Sequence, residues 1–135
     1  MKRLLVSACL LGLATRYDGG TKASALVQAL LKDYQLIPFC PEQLGGLSTP
    51  RPPAELVGGD GLAVLSGQAK VLTKDGRDVT ASFLRGAEEG VKLARLFGAR
   101  EALLKSRSPS CGLTPVLGVA AARLSLEGLS LVEID

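Results

Sequence analysis

Short aliphatic runs alternate with stretches of helical spacing along this chain, and that alternation narrows the available folds more than any other feature. Arg3 to Ser7 (RLLVS), Gln35 to Phe39 (QLIPF), Glu101 to Lys105 (EALLK) and Leu129 to Ile134 (LSLVEI) read as strands. Between the first two, Leu26, Ala29 and Leu30 recur at helical spacing within Ser24 to Asp33. Asp78 caps a long helix that ends before Gly98, with Phe83, Ala87, Val91 and Ala94 on its buried face. A last helix starts at Thr114-Pro115 or near Gly118 and stops before Gly128. Strands separated by helices pair in parallel, with right-handed crossovers. The expected fold is therefore α/β: a single-domain, Rossmann-like three-layer sandwich with a short, mostly parallel sheet of about four strands. A Pro- and Gly-rich insertion interrupts it between the second strand and the long helix. Within that insertion, Leu62 to Leu65 and Ala69 to Leu72 are expected to form a hairpin around Ser66-Gly67-Gln68. With no internal repeat and no linker, residues 1–135 read as one domain.

Composition excludes several classes of function. A net charge of +3, carried by basic residues scattered singly, gives no footprint for nucleic acid. No apolar run approaches the roughly 18 residues that would span a bilayer. The apolar run after Met1 is too short for a signal peptide, and Arg16, Tyr17 and Asp18 break any continuation. Three cysteines form an odd set that suits a reducing compartment, so a cytoplasmic protein is expected. There is no histidine. That removes Ser-His and Cys-His nucleophile pairs, imidazole metal ligands and the usual base at neutral pH.

The cysteines fall at corresponding places in the predicted fold. Cys9 comes two residues after the first strand, Cys40 directly follows the second, and Cys111 lies a few residues past the third. In an open parallel sheet the carboxyl ends of the strands share one edge, where ligands bind. Separations of about thirty and about seventy residues thus collapse into one volume. A closed structural zinc site takes four ligands. Three thiolates leave open zinc with a vacant position, Cu(I) or an iron–sulfur cluster. A cubane cluster held by three cysteines has one iron free to act as a Lewis acid. Two blander readings stay open: buried thiols acting as small hydrophobes, and a lone nucleophile at Cys111 activated by Lys105.

Four ordered blocks carry a resemblance. They are Val6-Ser7-Ala8-Cys9-Leu10-Leu11-Gly12 with Arg16-Tyr17-Asp18-Gly19, and Cys40-Pro41-Glu42-Gln43 through Gly45-Gly46-Leu47 to Thr49-Pro50-Arg51-Pro52-Pro53-Ala54-Glu55. Gly76-Arg77-Asp78-Val79-Thr80 and Leu104-Lys105-Ser106-Arg107-Ser108-Pro109-Ser110-Cys111-Gly112 complete the set. Together they resemble the bacterial 2-thiouracil desulfidase family, over nearly the whole chain. The resemblance implies a 4Fe-4S cluster held by Cys9, Cys40 and Cys111, with one open iron that takes the sulfur of a thiocarbonyl. It implies non-redox desulfuration of a small thiolated molecule, giving uracil and hydrogen sulfide from 2-thiouracil. One segment departs from the family pattern: only Leu113 to Leu117 separates Gly112 from the last helix, where the family has a longer stretch.

Desulfuration of a thioamide-like carbon needs a base to activate water. Glu42, two residues past Cys40, is the leading catalytic candidate, with Asp18 as the second carboxylate and Ser110 beside Cys111. Ser108, Lys105 and Arg51 are the candidates for substrate binding. The competing structural readings are turn or helix capping for Glu42, Asp18 and the serines, a solvated strand end for Lys105, and a pair with Glu55 for Arg51. Asp60 reads as a turn residue, and Gly58-Gly59-Asp60-Gly61 is no phosphate loop because no lysine and no following helix accompany it. Two alternative functions remain: a non-catalytic iron–sulfur or zinc module, and a metal-free cysteine enzyme using Cys111. Loss of Glu42 would spare the first, and loss of Cys9 or Cys40 would spare the second.

Overall fold

The computed structural model describes residues 1–135. Its main sheet has four parallel strands: β1 (Lys2–Ser7), β2 (Tyr34–Phe39), β5 (Glu101–Lys105) and β6 (Ser130–Ile134), in the order β2-β1-β5-β6. Leu5 stands opposite Ile37 on one side and Ala102 on the other, and Leu103 stands opposite Val132. The two central strands read as unbroken apolar runs because both of their faces are covered. Leu4, Val6 and Leu103 pack on one face with Leu10 and Val27. Leu5, Ala102 and Leu104 pack on the other with Val91, Ala94, Ala121 and Leu124.

The first face is covered by a 3-10 turn (Ala8–Leu11) and helix α1 (Ala25–Ala29), which Ser24 caps by accepting from Val27 N–H at 3.2 Å. Helix α1 is short and runs into a second 3-10 turn at Leu30–Lys32. The opposite face is covered by α4 (Thr80–Phe97) and α5 (Val119–Leu126), packed on each other. Phe83, Ala87, Val91 and Ala94 of α4 are all buried, as their spacing requires. Gly98 ends α4 in the left-handed region (φ 66°). The cap is not Asp78: the helix begins at Thr80, and Asp78 sits just before it, its carboxylate accepting from Thr80 N–H at 2.9 Å.

The insertion differs from the expected hairpin. Leu62 to Leu65 is helical, within α3 (Gly61–Leu65), and Asp60 is its cap, accepting from Ala63 N–H at 3.0 Å. A four-residue apolar run carries too little periodicity to separate helix from strand, and the capping aspartate decides. The hairpin pairs β3 (Ala54–Val57) with β4 (Lys70–Thr73), antiparallel, with Leu56 opposite Val71. The first strand lay hidden directly after two prolines.

Helix α2 (Pro41–Leu44) docks on α4 with the two backbones in close contact, and Arg85 Nη1 of α4 donates to Gly45 O at 3.2 Å. A Cβ on Gly86 would overlap Pro41 O, and one on Gly45 would overlap Ser82 O. This contact fixes the segment that follows Cys40. The Gly86→Ala substitution is expected to destabilise the protein by about 1–3 kcal/mol. Calorimetry would then read a Tm lower by roughly 3–10 °C, and an unchanged Tm would contradict the backbone contact.

Candidate metal centre

The order β2-β1-β5-β6 places the reversal of strand order between β1 and β5. One cavity of about 540 Å³ opens at the carboxyl ends of the strands there. Cys9, Cys40 and Cys111 all line it. Cys9 sits in the 3-10 turn after β1, Cys40 caps the start of α2, and Cys111 follows the turn after β5. Cys9 and Cys111 are buried, and Cys40 is half-buried.

Glu42, Ser108, Ser110, Lys105 and Arg51 line the same cavity. Glu42 Oε1 accepts from Arg51 Nε at 2.9 Å, and Glu42 Oε2 accepts from Ser110 Oγ at 2.9 Å. Ser110 Oγ lies 3.1 Å from Ser108 Oγ. Ser108 Oγ in turn accepts from the backbone N–H of Ser110 (3.2 Å) and Cys111 (3.0 Å), which shapes the turn carrying Cys111. A continuous polar chain thus runs from Arg51 through Glu42 and Ser110 to Ser108. The side chains of Arg51 and Glu42 are only 6% and 12% exposed. Removing one charge of such a buried pair costs about 3–5 kcal/mol, because the other is left uncompensated.

Lys105 Nζ donates to Ser106 O at 3.0 Å and to Ser106 Oγ at 3.1 Å. An ammonium has three donors, so one N–H remains for the cavity. Burial holds the Lys105 ammonium below its usual range, partly opposed by Asp135 and Cys9. Asp18 is not brought to the cavity lining. Its carboxylate accepts from Gly20 N–H at 2.9 Å in a turn and lies 3.9 Å from Arg16. Glu55 is not the partner of Arg51; Glu42 is.

Several lining residues had no assignment from the sequence: Ser7, Thr15, Lys22, Ser106 and Asp135. Ser7 is buried, and its Oγ accepts from Lys105 N–H at 3.0 Å. Its place at the carboxyl end of the first strand was the available signal. Asp135 accepts from Ser106 Oγ at 2.7 Å. The short segment after Gly112 contributes Pro115 and Val116 to a smaller adjoining cavity of about 250 Å³. Glu133 holds that segment by accepting from the N–H groups of Leu113 (3.1 Å) and Thr114 (2.8 Å).

Burial pushes all three thiols up: Cys9 further through Cys40, and Cys40 further through Glu42, against relief from the Gln43 N–H. The Cys111 thiol is pushed up to about 12, chiefly by burial, with Ser7 and Ser110 offsetting part of it. A thiol in this state is no activated nucleophile. No three cysteine, aspartate or glutamate side chains converge closely enough to hold one metal ion. A single zinc needs its ligands to meet within about 2.3 Å of one point. Three soft thiol donors line one cavity without histidine, a donor set that fits an iron–sulfur cluster.

Fold and site together define an open α/β-sheet protein with a thiol-lined ligand site at its topological switch point. Comparison with known proteins gives the family. A model of the 2-thiouracil desulfurase family matches residues 4–130, and the chain belongs to that family. It is 45% identical over 109 residues to the uncharacterized protein YbbK of Bacillus subtilis (strain 168), covering 81% of this chain and 72% of that protein. It is also similar to a solved structure described as the 4Fe-4S-dependent thiouracil desulfidase TudS, with 40% identity and a TM-score of 0.83. That match covers 98% of this chain and 91% of the other. No helix is long and apolar enough to cross a membrane.

In the metal-free, reduced protein, iodoacetamide at pH 7.5 is expected to label Cys111 at least roughly a hundredfold more slowly than a free cysteine. The rate should climb with pH as the thiolate forms. Peptide mapping that finds Cys111 labelled as fast as a free thiol would revive the metal-free nucleophile.

Proposed function

We propose that this chain is an iron–sulfur-dependent, non-redox desulfidase acting on a thiolated pyrimidine or a related thioamide, with 2-thiouracil as the reference substrate. The convergence of three unpaired cysteines with a buried Glu42–Ser110 pair in one cavity carries this reading. Membership of the desulfurase family supports it. Cys9, Cys40 and Cys111 are the residues that would hold a 4Fe-4S cluster. With three protein ligands, such a cluster supplies one iron as a soft Lewis acid for the substrate's sulfur.

The reaction is a hydrolysis. A thiocarbonyl and water give a carbonyl and hydrogen sulfide, with no change of oxidation state. Glu42 and Ser110 orient the water toward the carbon that loses sulfur, and Glu42 takes its proton through Oε2, directly or by way of Ser110 Oγ. Ser108, its hydroxyl proton given to Ser110 Oγ while Ser110 donates to Glu42, keeps the Ser110–Glu42 pair oriented. The remaining Lys105 N–H stabilises negative charge as it gathers on the departing sulfur. The occupant of the cavity is then a small thiolated molecule.

Anaerobic reconstitution with iron and sulfide is expected to give about four irons per chain and a broad visible absorbance. Cys9→Ala, Cys40→Ala and Cys111→Ala should each lose it. The loaded wild type should release sulfide and uracil from 2-thiouracil, and Glu42→Gln should lower kcat by about 10²–10⁴. A loaded protein that releases no sulfide would leave the non-catalytic iron–sulfur module. A protein that takes up no iron would end the cluster reading.

A further inference from the structure

Arg51 stands in the cavity wall, yet it has nothing left to give a substrate. A guanidinium carries five N–H donors in a fixed fork. Here Nε donates to Glu42 Oε1 at 2.9 Å. Nη1 donates to Ser48 O at 3.3 Å and Thr49 Oγ1 at 2.9 Å. Nη2 donates to Thr15 O at 2.9 Å and reaches Cys40 Sγ at 3.9 Å. All five donors are engaged. The backbone N–H of Arg51 also donates to Tyr17 O at 2.8 Å.

These partners come from three parts of the chain. Thr15 and Tyr17 belong to the loop that follows Cys9, Cys40 and Glu42 belong to the start of α2, and Ser48 and Thr49 precede Arg51 itself. One side chain therefore ties the Cys9 loop, the Cys40 sulfur and the Glu42 carboxylate into a single rigid unit. Cys40 Sγ also donates to Thr15 O at 3.7 Å. Because Arg51 reaches the same carbonyl, the tie between the two loops does not depend on that thiol proton.

We infer that Arg51 is a positioning residue: it fixes the Glu42 carboxylate relative to Cys40 and places a cationic N–H donor on one cluster-ligating sulfur. This rests on the iron–sulfur reading for its second half. A cationic donor on a thiolate sulfur favours the reduced cluster, so it raises the reduction potential. Lysine cannot replace the fork, because a point charge with three donors cannot span Glu42, Thr15 and Ser48 together.

The test uses anaerobically loaded wild type, Arg51→Gln and Arg51→Lys. Arg51→Gln is expected to lower kcat at least tenfold while KM for 2-thiouracil stays within threefold, and to move the cluster potential negative. Arg51→Lys should recover the potential but not kcat. A KM that rises while kcat holds would make Arg51 a substrate contact and overturn the inference. So would kcat and potential that both stay at wild-type values. A second measurement needs no cluster and no variant of Arg51. In the metal-free wild type, the Arg51 guanidinium N–H resonances should persist at neutral pH with slow exchange and shift in Glu42→Gln. Resonances lost to fast exchange would overturn the inference while the iron count of the wild type stands. A wild type that binds no iron overturns the function proposed above and leaves the resonance test intact.

Discussion

Strand β1 pairs in parallel with β2 on one side and β5 on the other, and the rest of the molecule follows from that pairing. Parallel neighbours cannot be joined by a tight turn, so the chain must leave the sheet and return. Right-handed crossovers running in opposite directions from β1 put their helices on opposite faces. Helix α1 takes one face, and α4 and α5 take the other. The loops after β1 and β5 therefore diverge, and the gap between them is the cavity. Cys9 and Cys111 reach it from those two loops, and Cys40 reaches it from the neighbouring strand β2.

The cavity wall is ordered by a buried ion pair and by close backbone contacts. Glu42 and Arg51 are removed from water together, and each is hydrogen-bonded on every side the structure offers. No buried side-chain polar atom lacks a partner. Such a network is rigid when complete and costly when broken. Glycine supports it from behind. Gly86 lets α2 approach α4, and Gly118 lies against the Ser110–Cys111 backbone, where a Cβ would crowd both residues. Two walls of the site are thus set by positions that never touch it.

Much of the sheet was legible because its strands are short aliphatic runs bounded by charge or glycine. The Glu101 to Lys105 prediction matches β5 residue for residue. The insertion was less legible. Ala54–Val57 follows two prolines and contains Glu55, so its strand character depends on pairing with Lys70–Thr73 and not on local pattern. Leu62 to Leu65 carried an apolar run too short to show a period, and Asp60 was the only pointer to a helix. The cysteines and Glu42 could be placed because strand ends share an edge. Arg51 could be placed in the site, but its five partners come from segments as far away as Thr15, which no local motif links to it. Asp18 shows the converse: an Asp-Gly-Gly turn next to a site loop, with its carboxylate used by the turn.

The central claim is that three cysteines leave one iron of a four-iron cluster exposed to the sulfur of the substrate. The most direct measurement is a Mössbauer spectrum of protein loaded with ⁵⁷Fe, recorded without and with 2-thiouracil. The account predicts that one iron in four is distinguishable from the others and that its signal alone shifts when the substrate is added. Four irons that stay equivalent and unmoved by 2-thiouracil would contradict it.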